Sequence, residues 1–128
     1  MPRPRAAFTL IELLIVVVII GLLAAIAIPK FQATKGKANA AALRSDLRNL
    51  VVAEEAYFYE KAAYTADTTE LKFRPSPGVI ITIAAPPTGG WLATATHPLS
   101  YPLRCVVFFG GIVTPPAPAE IEGVPGCQ

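Results

Sequence analysis

From Phe8 to Ile28 the chain is apolar almost without interruption, and Glu12 is its only charged residue. As a helix, 21 residues at about 1.5 Å each reach roughly 31 Å, the thickness of one bilayer core. Pro29 follows at once and favours a kink or an end. A different rhythm then begins. Leu43, Leu47, Leu50, Val51, Tyr57 and Phe58 recur at helical spacing, with Arg44, Asp46, Arg48 and Glu55 largely between them. That period of 3.6 predicts an amphipathic helix over about 31–61, with Gly36 as a soft spot. Beyond it the pattern changes to short β-branched and aromatic runs bounded by Pro or Gly: GVIITIAA (78–85), GWLATATH (90–97) and LRCVVFFGG (103–111). These predict three or four antiparallel strands, the first two joined through the PPTGG loop (86–90). The tail, TPPAPAEIEGVPGCQ, is too rich in proline for regular structure to be expected. The fold class is therefore α+β: a long N-terminal hydrophobic helix continues into an amphipathic helix packed on a small antiparallel sheet. Tyr57 and Phe58 are expected to fill the helix–sheet core, with Tyr59 and Tyr64 at its edge.

Composition sharpens this picture. The 128 residues are 53% hydrophobic and 16% charged, and the apolar excess is concentrated in the first segment. The formal charge of +2 comes from Arg3 and Arg5; without them nine basic residues face nine acids. Nucleic-acid binding is thus not indicated. The two arginines instead fit a cytoplasmic flank, with the rest of the chain exported. In that exported part Cys105 and Cys127 form an even pair, which in an oxidising compartment reads as one disulfide. No CxxC or His/Cys cluster is present, so no metal site is expected.

Three readings of the first segment compete. A plain single-span anchor explains its length but leaves Glu12 without a partner, which is costly in lipid. A secretory signal peptide would use Ala25-Ile26-Ala27 for cleavage, but the apolar stretch is too long and Glu12 interrupts it. The third reading comes from resemblance. FTLIELLIVVVIIGLLAAIAIPKF, behind a short basic leader and a small residue, resembles the N-terminal segment of type IV pilins and of the related pseudopilins of type II secretion. SDLRNL (45–50) is similar to the pilin amphipathic helix as well.

The resemblance implies a leader peptide at 1–7, a transmembrane and filament-core helix at 8–29, and an amphipathic helix at 30–62. A globular β-sheet head with a disulfide-closed C-terminal loop would occupy 63–128. It implies that a prepilin peptidase and N-methyltransferase cuts between Ala7 and Phe8 and methylates the new amine of Phe8. Ala7 departs from the family, which mostly has Gly there. Glu12 would then meet the Phe8 amine of a neighbouring copy, setting the register of a helical filament of identical subunits. Pro29 and Gly36 are where the helix would bend or melt on leaving the bilayer. Before assembly the chain would sit in the lipid of the bacterial inner membrane as a single span, N-terminus cytoplasmic, beside an assembly platform. After assembly it would lie in an extracellular pilus. No enzymatic activity and no cofactor are implied.

Alternatives remain in view: a secretion pseudopilin, or a signal-anchored periplasmic binding module that never polymerises. The remaining features receive plain expectations. His97 is expected to be a hydrogen-bonded strand-end residue, and Glu54-Glu55 to point to different faces. Asp67 and Glu70 lack calcium-ligand spacing. Lys30, Lys35, Lys37, Arg44 and Arg48 are expected to meet lipid headgroups before assembly and neighbouring acids after it.

Overall fold

The computed structural model describes residues 7–84, 89–100, 103–111 and 114–128. The basic leader up to Ala6, most of the PPTGG loop and the end of the first expected strand, Ala85, lie outside these. The chain forms two compact units, one ending at Lys35 and one running from Gly36 to Gln128.

One helix, α1, spans Leu10–Lys61 and contributes to both units. It runs unbroken through Pro29 and Gly36. Proline at 29 has no N–H for the carbonyl of Ala25, so one rung of the ladder is missing there. The flanking Leu, Ile and Ala residues are good enough helix formers to continue past it. The last turn ends at Ala62, which takes a left-handed φ of 53° and donates its N–H to the Phe58 carbonyl, closing the helix.

In the second unit four strands form one antiparallel sheet in the order β1-β2-β3-β4. They are β1 Ile80–Ala84, β2 Trp91–Thr96, β3 Arg104–Phe109 and β4 Gly126–Cys127. The β1–β2 register pairs Ile80 with Thr96 and Ala84 with Leu92. The β2–β3 register pairs Trp91 with Phe109 and Thr96 with Arg104. Strand alternation turns Trp91, Ala93 and Ala95 inward together with Cys105 and Val107. Against them lie Leu43, Leu47 and Leu50 of α1, all fully buried, with Leu71 and Val79 closing the cluster. The two alanines leave room for the leucines, and Trp91 fills the end of the layer.

The tail corrects one expectation. Its last residues do enter the sheet: β4 pairs Cys105 with Cys127 and Val106 with Gly126. Arg104 and Gln128 exchange two backbone hydrogen bonds of 2.9 and 3.0 Å beside that pair. The proline-rich part before it lies over the outer face of β3, where Val106 and Phe108 are buried with Ala119. Glu122 accepts a hydrogen bond from Gly110 N, and Gly123 N donates to the Phe108 carbonyl. Proline forbids a long strand but not a coil that shields apolar side chains.

The core also differs from the simple apolar pattern. Phe58 is 40% exposed and stacks on Tyr64, with ring centroids 4.6 Å apart. It is Tyr64, half-buried, that reaches inward to Trp91 and Phe109. Tyr57 is half-buried, with its hydroxyl donating to Glu70. Asp46, expected between the apolar positions, is buried and accepts hydrogen bonds from Ser76 N and Oγ at 2.8 and 2.9 Å. It thereby holds the turn that leads into β1.

Candidate functional site

The first unit exposes what an ordinary domain would bury. From Phe8 to Phe31 its large apolar side chains are exposed, from 46% at Val16 to 81% at Leu10. This part of α1 is long and apolar enough to cross a membrane. Gly21 has open space where a Cβ would stand, and Ala24, Ala25 and Ala27 keep the same stretch slender.

At its start, Ala7 and Phe8 precede the helix and are exposed. Thr9 is the N-cap and Glu12 the third helical residue. The Glu12 carboxylate accepts from Thr9 N at 2.8 Å and from Thr9 Oγ1 at 2.7 Å, while Glu12 N donates to Thr9 Oγ1 at 3.3 Å. This is a capping box: each residue satisfies an orphan N–H of the other, and the acid lies at the positive end of the helix. Glu12 therefore has a partner within its own chain. Sequence reasoning overlooked it, although Thr9-Leu10-Ile11-Glu12 carries the T-x-x-E signature directly.

The structure brings Cys105 and Cys127 together as a disulfide across the β3–β4 pair. Arg44 Nε lies 3.2 Å from Cys127 Sγ, so α1 also touches this corner. Asp67 accepts from Thr69 N and Oγ1, which hold its carboxyl below the usual range. Glu70 accepts from the Tyr57 and Thr65 hydroxyls. Among the described residues no three His, Cys, Asp or Glu side chains gather as a metal set. His97 sits at the end of β2, where its Nδ1 accepts from Leu99 N and starts a short 3-10 turn, Pro98–Ser100.

Glu54 and Glu55 do diverge. Glu55 accepts from the Tyr64 hydroxyl, whose pKa is pushed up to about 12 by burial and then by that carboxylate. Glu54 is fully buried; its Oε2 accepts from Thr65 N at 3.3 Å, and burial raises its pKa to about 6.

The prokaryotic N-terminal methylation motif matches residues 2–28. Over 77 residues the chain is 44% identical to the type IV major pilin protein PilA of Myxococcus xanthus, a match covering 60% of this chain and 34% of that one. The chain is thus similar to a type IV major pilin over three-fifths of its length. A second pilin relative is the type IV wide pilus major component PilA4 of Thermus thermophilus, 39% identical over 69 residues, 54% of this chain and 53% of that one. The type II secretion system core protein G of Pseudomonas aeruginosa is 34% identical over 62 residues, 48% of this chain and 44% of its own. The chain thus matches between a third and about half the length of these relatives. The long helix followed by a small antiparallel sheet is likewise pilin-like in plan.

Proposed function

We propose that this chain is the structural subunit of a type IV pilus-like filament, made as a membrane-anchored precursor. The observation that carries the reading is the exposed apolar stretch Phe8–Ile28, bearing Glu12 within a methylation motif. Removed from lipid, so much apolar surface needs another cover, and copies of the same helix supply one. Small residues at Gly21, Ala24, Ala25 and Ala27 let such helices approach closely. In this reading a prepilin peptidase on the cytoplasmic side cuts between Ala7 and Phe8 and methylates the new amine. The amine of one copy then faces Glu12 of the next. Thr9 holds that carboxylate ready at the helix start until the amine arrives. A charge pair in an apolar bundle sets register rather than adding raw stability, because either charge alone would be far worse off. Pro29 and Gly36 are the places where the helix yields as the subunit leaves the inner membrane for the assembly platform.

A secretion pseudopilin is the second reading, favoured by the similarity to core protein G. The disulfide at Cys105 and Cys127 supports the pilus reading over it.

The test is intact-mass analysis, without reduction, of the protein from sheared surface material and from membranes. A methylated chain from Phe8 to Gln128, less two hydrogens, in the sheared fraction is the expected result. The same mass confined to membranes favours the pseudopilin. A chain beginning at Ile28 means a cleaved signal peptide, and the filament reading is then wrong.

A further inference from the structure

The disulfide has two unlike ends. Cys105 belongs to the inner layer of the sheet and is fully buried in the cluster that holds Leu43, Leu47, Ala95 and Val107. Cys127 is half-buried on the short edge strand β4. An open cleft of about 520 Å³ reaches it, lined also by Pro118, Glu120 and Gln128. Arg44 extends from α1 to the same sulfur, with its Nε 3.2 Å from Cys127 Sγ. All of these groups belong to the second unit.

The surroundings act on the two sulfurs in opposite directions. A thiolate at Cys105 would be a charge in an apolar layer, so burial keeps that thiol protonated. At Cys127 a guanidinium stands within hydrogen-bond reach, and a cation so placed favours the thiolate. The other charged groups at this corner are Arg104 and Glu120. Arg104 begins β3 and directs a guanidinium N–H to the Ala117 carbonyl, 3.3 Å away. Glu120, exposed in the tail, shares the cleft and opposes a thiolate there. Among the described residues only Arg44 hydrogen-bonds to the sulfur, so the attraction is the closer effect.

We propose that Cys127 is the sulfur through which this bond is made and exchanged, with Arg44 holding its thiolate, and that the bond closes on a head already folded. The Cys127 thiolate attacks a disulfide donor and expels one donor sulfur as a thiolate. Cys105 gives its proton to solvent and attacks Cys127 Sγ, which expels the second donor sulfur. The two cysteines lose two electrons and two protons, and the donor leaves as two thiols. Such a donor meets only the cleft and never the core. In the reverse direction an attacking thiolate reaches Cys127 and must expel Cys105 as a buried thiolate, a poor leaving group, so the closed bond resists reduction. The exchange needs no second copy of the chain and stands apart from the filament reading.

The test starts from the oxidised full chain in micelles. Brief treatment with glutathione, an acid quench and peptide mass analysis should place the glutathionyl group on Cys127 at least about ten-fold more often than on Cys105. Equal adducts, or an excess on Cys105, overturn the proposal. The second measurement uses the fully reduced chain, with emission of the buried Trp91 reporting the fold. Iodoacetamide should alkylate Cys127 at least about ten-fold faster than Cys105. Arg44→Gln should slow Cys127 about three-fold near pH 7 and move its pH midpoint upward, and Arg44→Lys should restore both. A Cys127 pH profile that is the same in Arg44→Gln overturns the role of the guanidinium. Loss of the Trp91 signal on reduction also overturns the proposal, because the head would then need the bond before it folds.

Discussion

Glu54 lies fully buried at the helix–sheet interface with only the Thr65 N–H as a hydrogen-bond partner among the described residues. Burial is the largest cause of its raised pKa, and the neighbouring Glu55 charge adds to it. Replacing it with Gln keeps an oxygen for Thr65 and removes the charge. The rise from the ordinary 4.5 to about 6 corresponds to about 2 kcal/mol, at about 1.4 kcal/mol per pH unit. The sign follows from which state loses its proton first. Below pH 4.5 Glu54 is neutral in both folded and unfolded chains, and its full contribution is present. Between pH 4.5 and 6 the unfolded chain ionises while the folded one resists, so stability falls. Above pH 6 the deficit is constant. Glu54→Gln should therefore match the parent at pH 4 and exceed it by about 2 kcal/mol at pH 7. The assay is urea unfolding of the full chain in detergent micelles, followed by emission of Trp91, the only tryptophan and a core residue. Slopes should stay equal while midpoints separate at pH 7. If both proteins lose the same stability between pH 4 and pH 7, or if the variant is the weaker at pH 7, the burial argument is refuted.

Three further outcomes are expected. Ala62→Gly should stabilise the second unit by about 1 kcal/mol in the same urea assay, because the left-handed φ of 53° strains any residue with a Cβ. Replacing Cys105 and Cys127 together by Ala should lower stability by about 3 kcal/mol, the loop-closure value for a separation of 22 residues, read as an earlier urea midpoint. Thr9→Val should remove the hydroxyl half of the capping box, weakening the first turn by about 1 kcal/mol; amide exchange near Glu12 in micelles should rise about five-fold, and an unchanged rate would mean the box is idle.

Long periodic signals were legible in the residues. The apolar stretch and the amphipathic stripe of Leu43, Leu47 and Leu50 stand in the pattern because burial imposes a helical period, and the three strands stand in their β-branched and aromatic runs; which face of each turns inward does not, since β3 buries Cys105 to Phe108 in succession on both faces. What a binary pattern hides is a polar residue on a buried stripe. Positions 43, 46, 47, 50 and 54 follow helical arithmetic, so Asp46 and Glu54 were placed inward by spacing and outward by polarity. Tertiary partners decided for spacing: Ser76 for Asp46 and Thr65 for Glu54. Phe58 and Tyr64 exchanged places for a related reason, since the loop after α1 folds back to bring Tyr64 against Trp91. The Thr9–Glu12 box is local and stands in the T-x-x-E spacing itself, so the acid's nearest partner lies three residues away rather than across the bilayer.

The short β4 has a consequence for how copies of this chain tolerate crowding. A sheet edge is normally an open template on which a neighbour can add a strand. Here the edge beyond β3 is closed by a strand of two residues that follows Pro125 and carries a covalent rung at Cys127. Proline offers no N–H, and so brief an edge leaves almost no ladder to extend. Heads brought side by side at high density are thus discouraged from merging strand to strand along this border. The opposite edge, β1, is five residues long and pairs only with β2, so any strand-to-strand joining of two heads is directed to that side of the sheet.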